Sequence, residues 1–263
     1  MQQLLSKETK TLEEQKTPIY QQKMAYLQHC LYTKRLAELS VAAYDIDLSQ
    51  FLLFLEKQYP EIQSASQIMK ATLQNYVYSL NEKYAVSSSK RKVASLKGFF
   101  AYLLEEELIP SDPFLHLHIK MREPHRLPNV MSLKEVNRIL KAAYSDQNAT
   151  SDFLYHRDIA ILEIFFATGV RVHELCNLKY SDFNVRQSSL RIVGKGNKER
   201  VIYITHSEVM EAVQHYCKLV RKYHLKSDYI FLSKYGKPLS TQAARNIVTK
   251  YTKLAGIKRT ITP

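Results

Sequence analysis

The sequence predicts a mainly α-helical chain with one small β-hairpin, an α+β protein of two domains. Three observations lead there. Apolar residues recur at helical spacing through residues 20–107 and again from 133 onward. A proline-containing stretch separates the two runs, and β-rich segments flank a glycine-containing turn at residues 194–198. At 263 residues and 45% hydrophobic content, the chain is large enough for two ordinary cores.

Residues 1–18 read as a polar leader, since Met1 to Lys16 carries no apolar signal-peptide core. Residues 19–108 read as a helical domain of three or four amphipathic helices. Tyr44, Leu48, Phe51, Leu52 and Leu55 share one helical face behind Ser40 as a cap, and Met69, Leu73, Tyr76, Val77 and Leu80 repeat the pattern. A further helix starts at Ser87-Ser88-Ser89 and turns Val93, Leu96, Phe100, Leu103 and Leu104 inward. Its early turns carry Lys90, Arg91 and Lys92, a cluster suited to phosphate because cations there add to the attraction of a helix N-terminus for anions.

Ile109-Pro110-Ser111-Asp112-Pro113 stops that helix, and residues 109–128 form the expected linker. The second domain, residues 129–263, opens on Ser132-Leu133-Lys134-Glu135, which has the spacing of a capping box. A longer helix over about Asp152 to Ala167 ends at Thr168-Gly169, where glycine can take the left-handed conformation. Ser189 to Val193 and Glu199 to Thr205 are the expected strands, joined by Gly194-Lys195-Gly196-Asn197-Lys198. Helices follow at about Ser207 to Tyr223 and Thr241 to Ala255, and Gly256 closes the last.

Lysine and arginine total 38 against 25 acids, a net charge of +13. Met1 to Met121 holds 14 basic and 13 acidic residues and the remainder holds 24 and 12, so the second half carries nearly all of the excess. Such a field favours a polyanionic partner through neutralised phosphates and released counterions, although surface lysines kept for solubility explain charge alone equally well. Cys30, Cys176 and Cys217 stand far apart with neither a zinc-binding nor a disulfide spacing, which predicts a reduced, cytoplasmic chain. The most apolar stretch, Ile159 to Val170, is interrupted by Glu163 and falls short of the roughly 20 residues a bilayer requires.

Two stretches carry the chemistry: Ala167-Thr168-Gly169-Val170-Arg171-Val172-His173-Glu174-Leu175 and Val193-Gly194-Lys195-Gly196-Asn197-Lys198-Glu199-Arg200. Together they resemble the tyrosine recombinase (phage integrase) family, and the turn is nearly that of its Xer-type branch. The resemblance extends loosely over the N-terminal helices, which look like the family's core-binding, SAM-like domain. It implies that Arg171 and Lys195 are catalytic, that Glu174 orients the arginine, and that double-stranded DNA is the partner. It places DNA contacts at Lys90, Arg91, Lys92, Lys198, Arg200 and Arg245, with self-association on DNA as a tetrameric synapse.

The residue types suit that chemistry. Transesterification of a phosphodiester puts extra negative charge on the non-bridging oxygens, and a guanidinium at Arg171 offers a permanently charged planar fork to two of them. A lysine on a hairpin is placed to protonate the departing 5′ oxygen as a general acid. Each motif alone has an ordinary explanation, Arg171 as a surface arginine paired with Glu174 and residues 194–198 as a plain turn. No metal, nucleotide or other cofactor is implied, because a phosphotyrosyl link conserves the bond energy for religation.

The family pattern departs in one place. Its His-x-x-Arg box, second histidine or tryptophan and nucleophilic tyrosine are not found, and Thr260-Ile261-Thr262-Pro263 resembles the residues that precede that box. The expectation is a catalytic domain lacking its C-terminal part, which binds DNA without recombining it and assembles weakly. Tyr235 and Tyr251 are not expected to substitute as nucleophiles, since they fall in the wrong segment. Two other readings stand beside this one: a non-catalytic regulator or competitor at recombination sites, and a helical protein whose basic half meets an acidic protein.

Overall fold

The computed structural model describes residues 17–115, 117, 119–122, 130–146, 151–194, 196 and 198–262. Two compact units divide the chain, Met1–Leu127 and Pro128–Pro263.

In the first unit, α1 (Pro18–Gln28) begins with proline at the first helical position, where a missing N–H costs nothing, and widens into a π-helical turn at His29–Thr33. Then come α2 (Glu38–Gln58), a single 3-10 turn at Ala65–Gln67, α3 (Lys70–Lys83) and α4 (Val86–Glu105). Their inward stripes meet in one core, with Leu48 and Phe51 of α2, Leu73 and Tyr76 of α3, and Leu96, Phe99 and Phe100 of α4 all buried.

The stripes differ from the sequence expectation in three places. Ser40 is not a cap, because α2 starts behind Ala37 and encloses it. Met69 is 71% exposed since it precedes α3 rather than lying on its inner face, and Leu104 is 41% exposed because Phe99 and Leu103 fill the core side of α4. Gly98 makes room for α1 against α4: a Cβ there would stand 2.6 Å from the hydroxyl of buried Tyr26.

The second unit opens with α5 (Leu133–Tyr144), whose capping box is formed. Ser132 Oγ accepts from the Glu135 backbone N–H at 3.3 Å, and Glu135 Oε2 accepts from the Ser132 backbone N–H at 2.9 Å. Next is α6 (Asp152–Thr168), buried continuously from Ile159 to Phe165 and ended by Gly169 at φ +60°. A short helix, α7 (Val172–Cys176), and a 3-10 turn at Tyr180–Asp182 lead into an antiparallel sheet ordered β1-β2-β3.

β1 (Phe183–Asn184) was not foreseen, as two residues carry no readable alternation. β2 (Ser189–Val193) pairs with β3 (Glu199–Tyr203) in a register that sets Val193 opposite Glu199 and Ile192 opposite Arg200. Finally α8 (Ser207–Lys222) packs on α6, while α9 (Thr241–Leu254) packs on α5 and α7. A polar network lies behind α9: Tyr251 is fully buried, its hydroxyl donates to Asp146 at 3.1 Å, and Arg157 forks onto Asp158 at 3.0 and 2.7 Å.

Candidate active site

The site is built where α6 ends. Gly169 turns the chain, buried Val170 and Leu175 pin the turn to the core, and Arg171 becomes the residue immediately before α7. Its backbone N–H donates to Glu174 Oε2 at 2.9 Å and its Nη1 donates to Glu174 Oε1 at 3.1 Å. The Arg171 side chain nonetheless stays 77% exposed, whereas that of Glu174 is 4% exposed.

A second guanidinium reaches the same carboxylate from the sheet. Arg200 donates through Nη1 to Oε1 at 3.0 Å and through Nη2 to Oε2 at 2.8 Å, a bidentate pairing. The Arg200 fork, with help from the Arg171 N–H and side chain, outweighs burial and holds the Glu174 carboxyl down to about 2. One buried carboxylate thus receives four donors. Gly194 closes over it, since a Cβ there would stand 3.4 Å from Glu174 Oε1 and 3.6 Å from Arg200 Nη1. The Gly194 N–H donates to the Lys198 carbonyl at 2.8 Å, and Gly196 stands at φ +74°, where glycine is favoured.

Lys195 lies outside the described residues, although Gly194 and Gly196 on either side of it are described. Lys198 is exposed. Arg245 is exposed on α9 near α7, close enough for its charge to oppose the burial that pushes the Cys176 thiol up to about 11. Glu174 and Arg171 therefore meet as expected, while Arg200 is engaged by a carboxylate rather than simply presented to solvent.

The other expected cluster is partly consumed within the first unit. Asp47, fully buried on α2, accepts from Arg91 Nη2 at 2.8 Å and again from Arg91 Nη1. It also accepts from Lys92 Nζ at 3.0 Å and Ser95 Oγ at 2.8 Å. Lys92 is only 4% exposed, and its ammonium also donates to Gln50 at 2.6 Å. The expectation that Lys92 touches DNA is corrected on that ground: a phosphate could reach it only by displacing both partners. Lys90 and half-exposed Arg91 remain at the surface. Asp47 was missed by sequence reasoning, and its signal was an acid between Tyr44 and Leu48 on an otherwise apolar face.

Among the described residues no three His, Cys, Asp or Glu side chains gather to hold a metal, and no helix is long and apolar enough to cross a membrane. Tyr251 is an unsuitable nucleophile as placed, because burial and the nearby Asp158 and Asp146 carboxylates push its phenol further from ionisation.

Residues 129–263 match the model of the phage integrase family, and residues 24–107 match that of the phage integrase N-terminal SAM-like domain. The chain belongs to the phage integrase family. This family member is 38% identical over 245 residues to a tyrosine recombinase of Agathobacter rectalis, covering 91% of this chain and 78% of that protein. It is 34% identical over 230 residues to the tyrosine recombinase XerD of Halalkalibacterium halodurans, covering 85% and 74%. By family it is a tyrosine site-specific recombinase.

Two solved structures share the fold. One is the XerH site-specific recombinase bound to a difH substrate, with a TM-score of 0.69 at 19% identity over 91% of this chain and 70% of that one. The other is a lambda integrase dimer bound to a COC′ core site, with a TM-score of 0.66 at 16% identity over 93% and 84%.

Proposed function

We propose that this chain binds duplex DNA in the cytoplasm and supplies two of the catalytic groups of a tyrosine recombinase, which cuts and rejoins strands through a phosphotyrosyl intermediate. The observation that carries the reading is the Arg171 guanidinium, fixed at its base by Glu174 yet exposed over most of its surface. Arg171 binds the non-bridging oxygens of the scissile phosphate, where charge accumulates during attack by a tyrosine oxygen. Lys195 donates the proton that the departing 5′ oxygen takes up. Residues 19–108 and 129–263 act as DNA-binding and catalytic domains joined through 109–128, with Lys90, Arg91, Lys198 and Arg245 meeting phosphates.

The 263 residues contain no His-x-x-Arg spacing. By themselves they bind DNA without cleaving it. Lambda integrase has been seen as a tetramer on a Holliday junction, and copies of this chain assemble on DNA in the same manner. A non-catalytic occupant of recombination sites would need neither a phosphate-activating arginine nor a leaving-group acid, so the presence of Arg171 and Lys195 favours the recombinase reading.

The test is the affinity of the chain for a 40-bp duplex at stepped salt concentrations. Log affinity should fall linearly with log salt, and Arg171→Ala should reduce the slope by about one. Affinity independent of salt would instead support an acidic-protein partner.

A further inference from the structure

Sequence reasoning placed Arg200 among the DNA contacts; its side chain is 41% exposed, and its guanidinium is held by a carboxylate. Side chains alternate along β3, so Arg200 shares a face with half-buried Ile202 and lies opposite fully buried Ile192, while Glu199, Val201 and Tyr203 stand on the outer face. On that inner face its guanidinium meets both oxygens of Glu174.

We propose that Arg200 is a positioning residue: by occupying both Glu174 oxygens it keeps Arg171 turned outward for phosphate and ties the strand after residues 194–198 to α7. Three features support this. Glu174 has two oxygens and two guanidinium suitors, and Arg200 takes the bidentate geometry, leaving Arg171 a single side-chain bond. The Arg171 side chain, bonded through Nη1, is 77% exposed. The charges also matter. One carboxylate between two guanidiniums leaves the site at +1, whereas Glu174 with Arg171 alone would be neutral and would attract phosphate less. Finally, lysine cannot reproduce the arrangement, because an ammonium is a point charge without a fork.

This inference rests on the phosphate-binding role given to Arg171, but its first test needs no DNA. Nitrogen-15 NMR of arginine side chains in the 263-residue protein would follow rotation about the Arg171 Nε–Cζ bond in the unmodified chain and in Arg200→Ala, Arg200→Lys and Arg200→Ala/Glu174→Gln. Releasing Glu174 to fork onto Arg171 should slow that rotation roughly tenfold in both single variants, and removing the carboxylate in the double variant should restore it.

The second arm measures affinity for the 40-bp duplex. Arg200→Lys should weaken binding roughly tenfold at one fixed salt concentration, because Glu174 then takes the Arg171 fork although the net charge of the site is unchanged. An Arg200 that merely touched phosphate would be largely replaced by lysine in this arm. Arg171 rotation in Arg200→Lys identical to that of the unmodified chain would overturn the proposal, since this variant keeps the charge and is the least prone to misfold. If the rotation changes as expected but the unmodified chain shows no salt-dependent DNA affinity, the clasp stands and the DNA-binding function fails.

Discussion

Both units bury a carboxylate and surround it with two cations, yet they put the arrangement to opposite use. In the first unit Asp47 is fully buried, and of its two cations Lys92 is buried with it and Arg91 is bound through both terminal nitrogens. The Lys92 charge is spent on joining α2 to α4, whereas Arg91 pairs with Asp47 while half of its side chain stays at the surface. In the second unit Glu174 is buried almost as deeply, but Arg171 keeps 77% of its side chain exposed because Arg200 saturates the carboxylate from the other side. The lesson is that a basic residue in sequence is only a candidate ligand. Whether its charge reaches a partner depends on how many other donors compete for the acid beside it.

Four changes sharpen the contrast. The largest effect belongs to Asp47→Ala, which strands buried Lys92 without its carboxylate and should destabilise the first unit by about 3–5 kcal/mol in urea unfolding followed on α2 and α4 amides. A loss below about 1 kcal/mol would mean that water or Gln50 alone satisfies Lys92, and the two clusters would not differ in kind. Next comes Glu174→Gln at about 1–2 kcal/mol in the second unit, smaller because both guanidiniums already touch water.

Acid should weaken the second unit's pairings without mutation. The folded Glu174 carboxyl titrates at about 2, below its ordinary 4.5, so its stabilisation is complete above 4.5 and is lost as pH falls toward 2. Glu135, held down to about 2 first by Arg259 and then by its own cap, follows the same window. Amide exchange around Gly194 and at the start of α5 should therefore accelerate over that range, and unchanged exchange at both places would contradict the assigned pairings. The smallest effect is expected for Arg171→Ala, under about 0.5 kcal/mol in stability, because the removed side chain is mostly solvated.

What was legible in the sequence was local. The Ser132 capping box, the Gly169 stop and the β2–β3 pairing each arise from residues within a few positions of one another, and each formed as read. The Arg171 to Glu174 contact belongs to the same class, three residues apart on one turn. What escaped was long-range. Asp47 meets Arg91 and Lys92 across 44 and 45 residues, and Arg200 meets Glu174 across 26, so neither partner is written beside the other. Helical spacing gives the face a residue occupies, but only packing decides which charges share it. Hence Lys92 was expected at the surface and lies in the interior, and Arg200 was expected on DNA and holds a carboxylate.

The central proposal, that Arg171 activates a phosphate and that none of the tyrosines in these 263 residues is the nucleophile, is tested most directly with a nicked suicide DNA substrate that traps covalent protein. Three proteins are compared: this chain, a chimera carrying a family C-terminal segment with the His-x-x-Arg box and tyrosine, and that chimera with Arg171→Ala. The account predicts adduct only with the intact chimera. Adduct from the 263-residue chain, or undiminished adduct after Arg171→Ala, would contradict it.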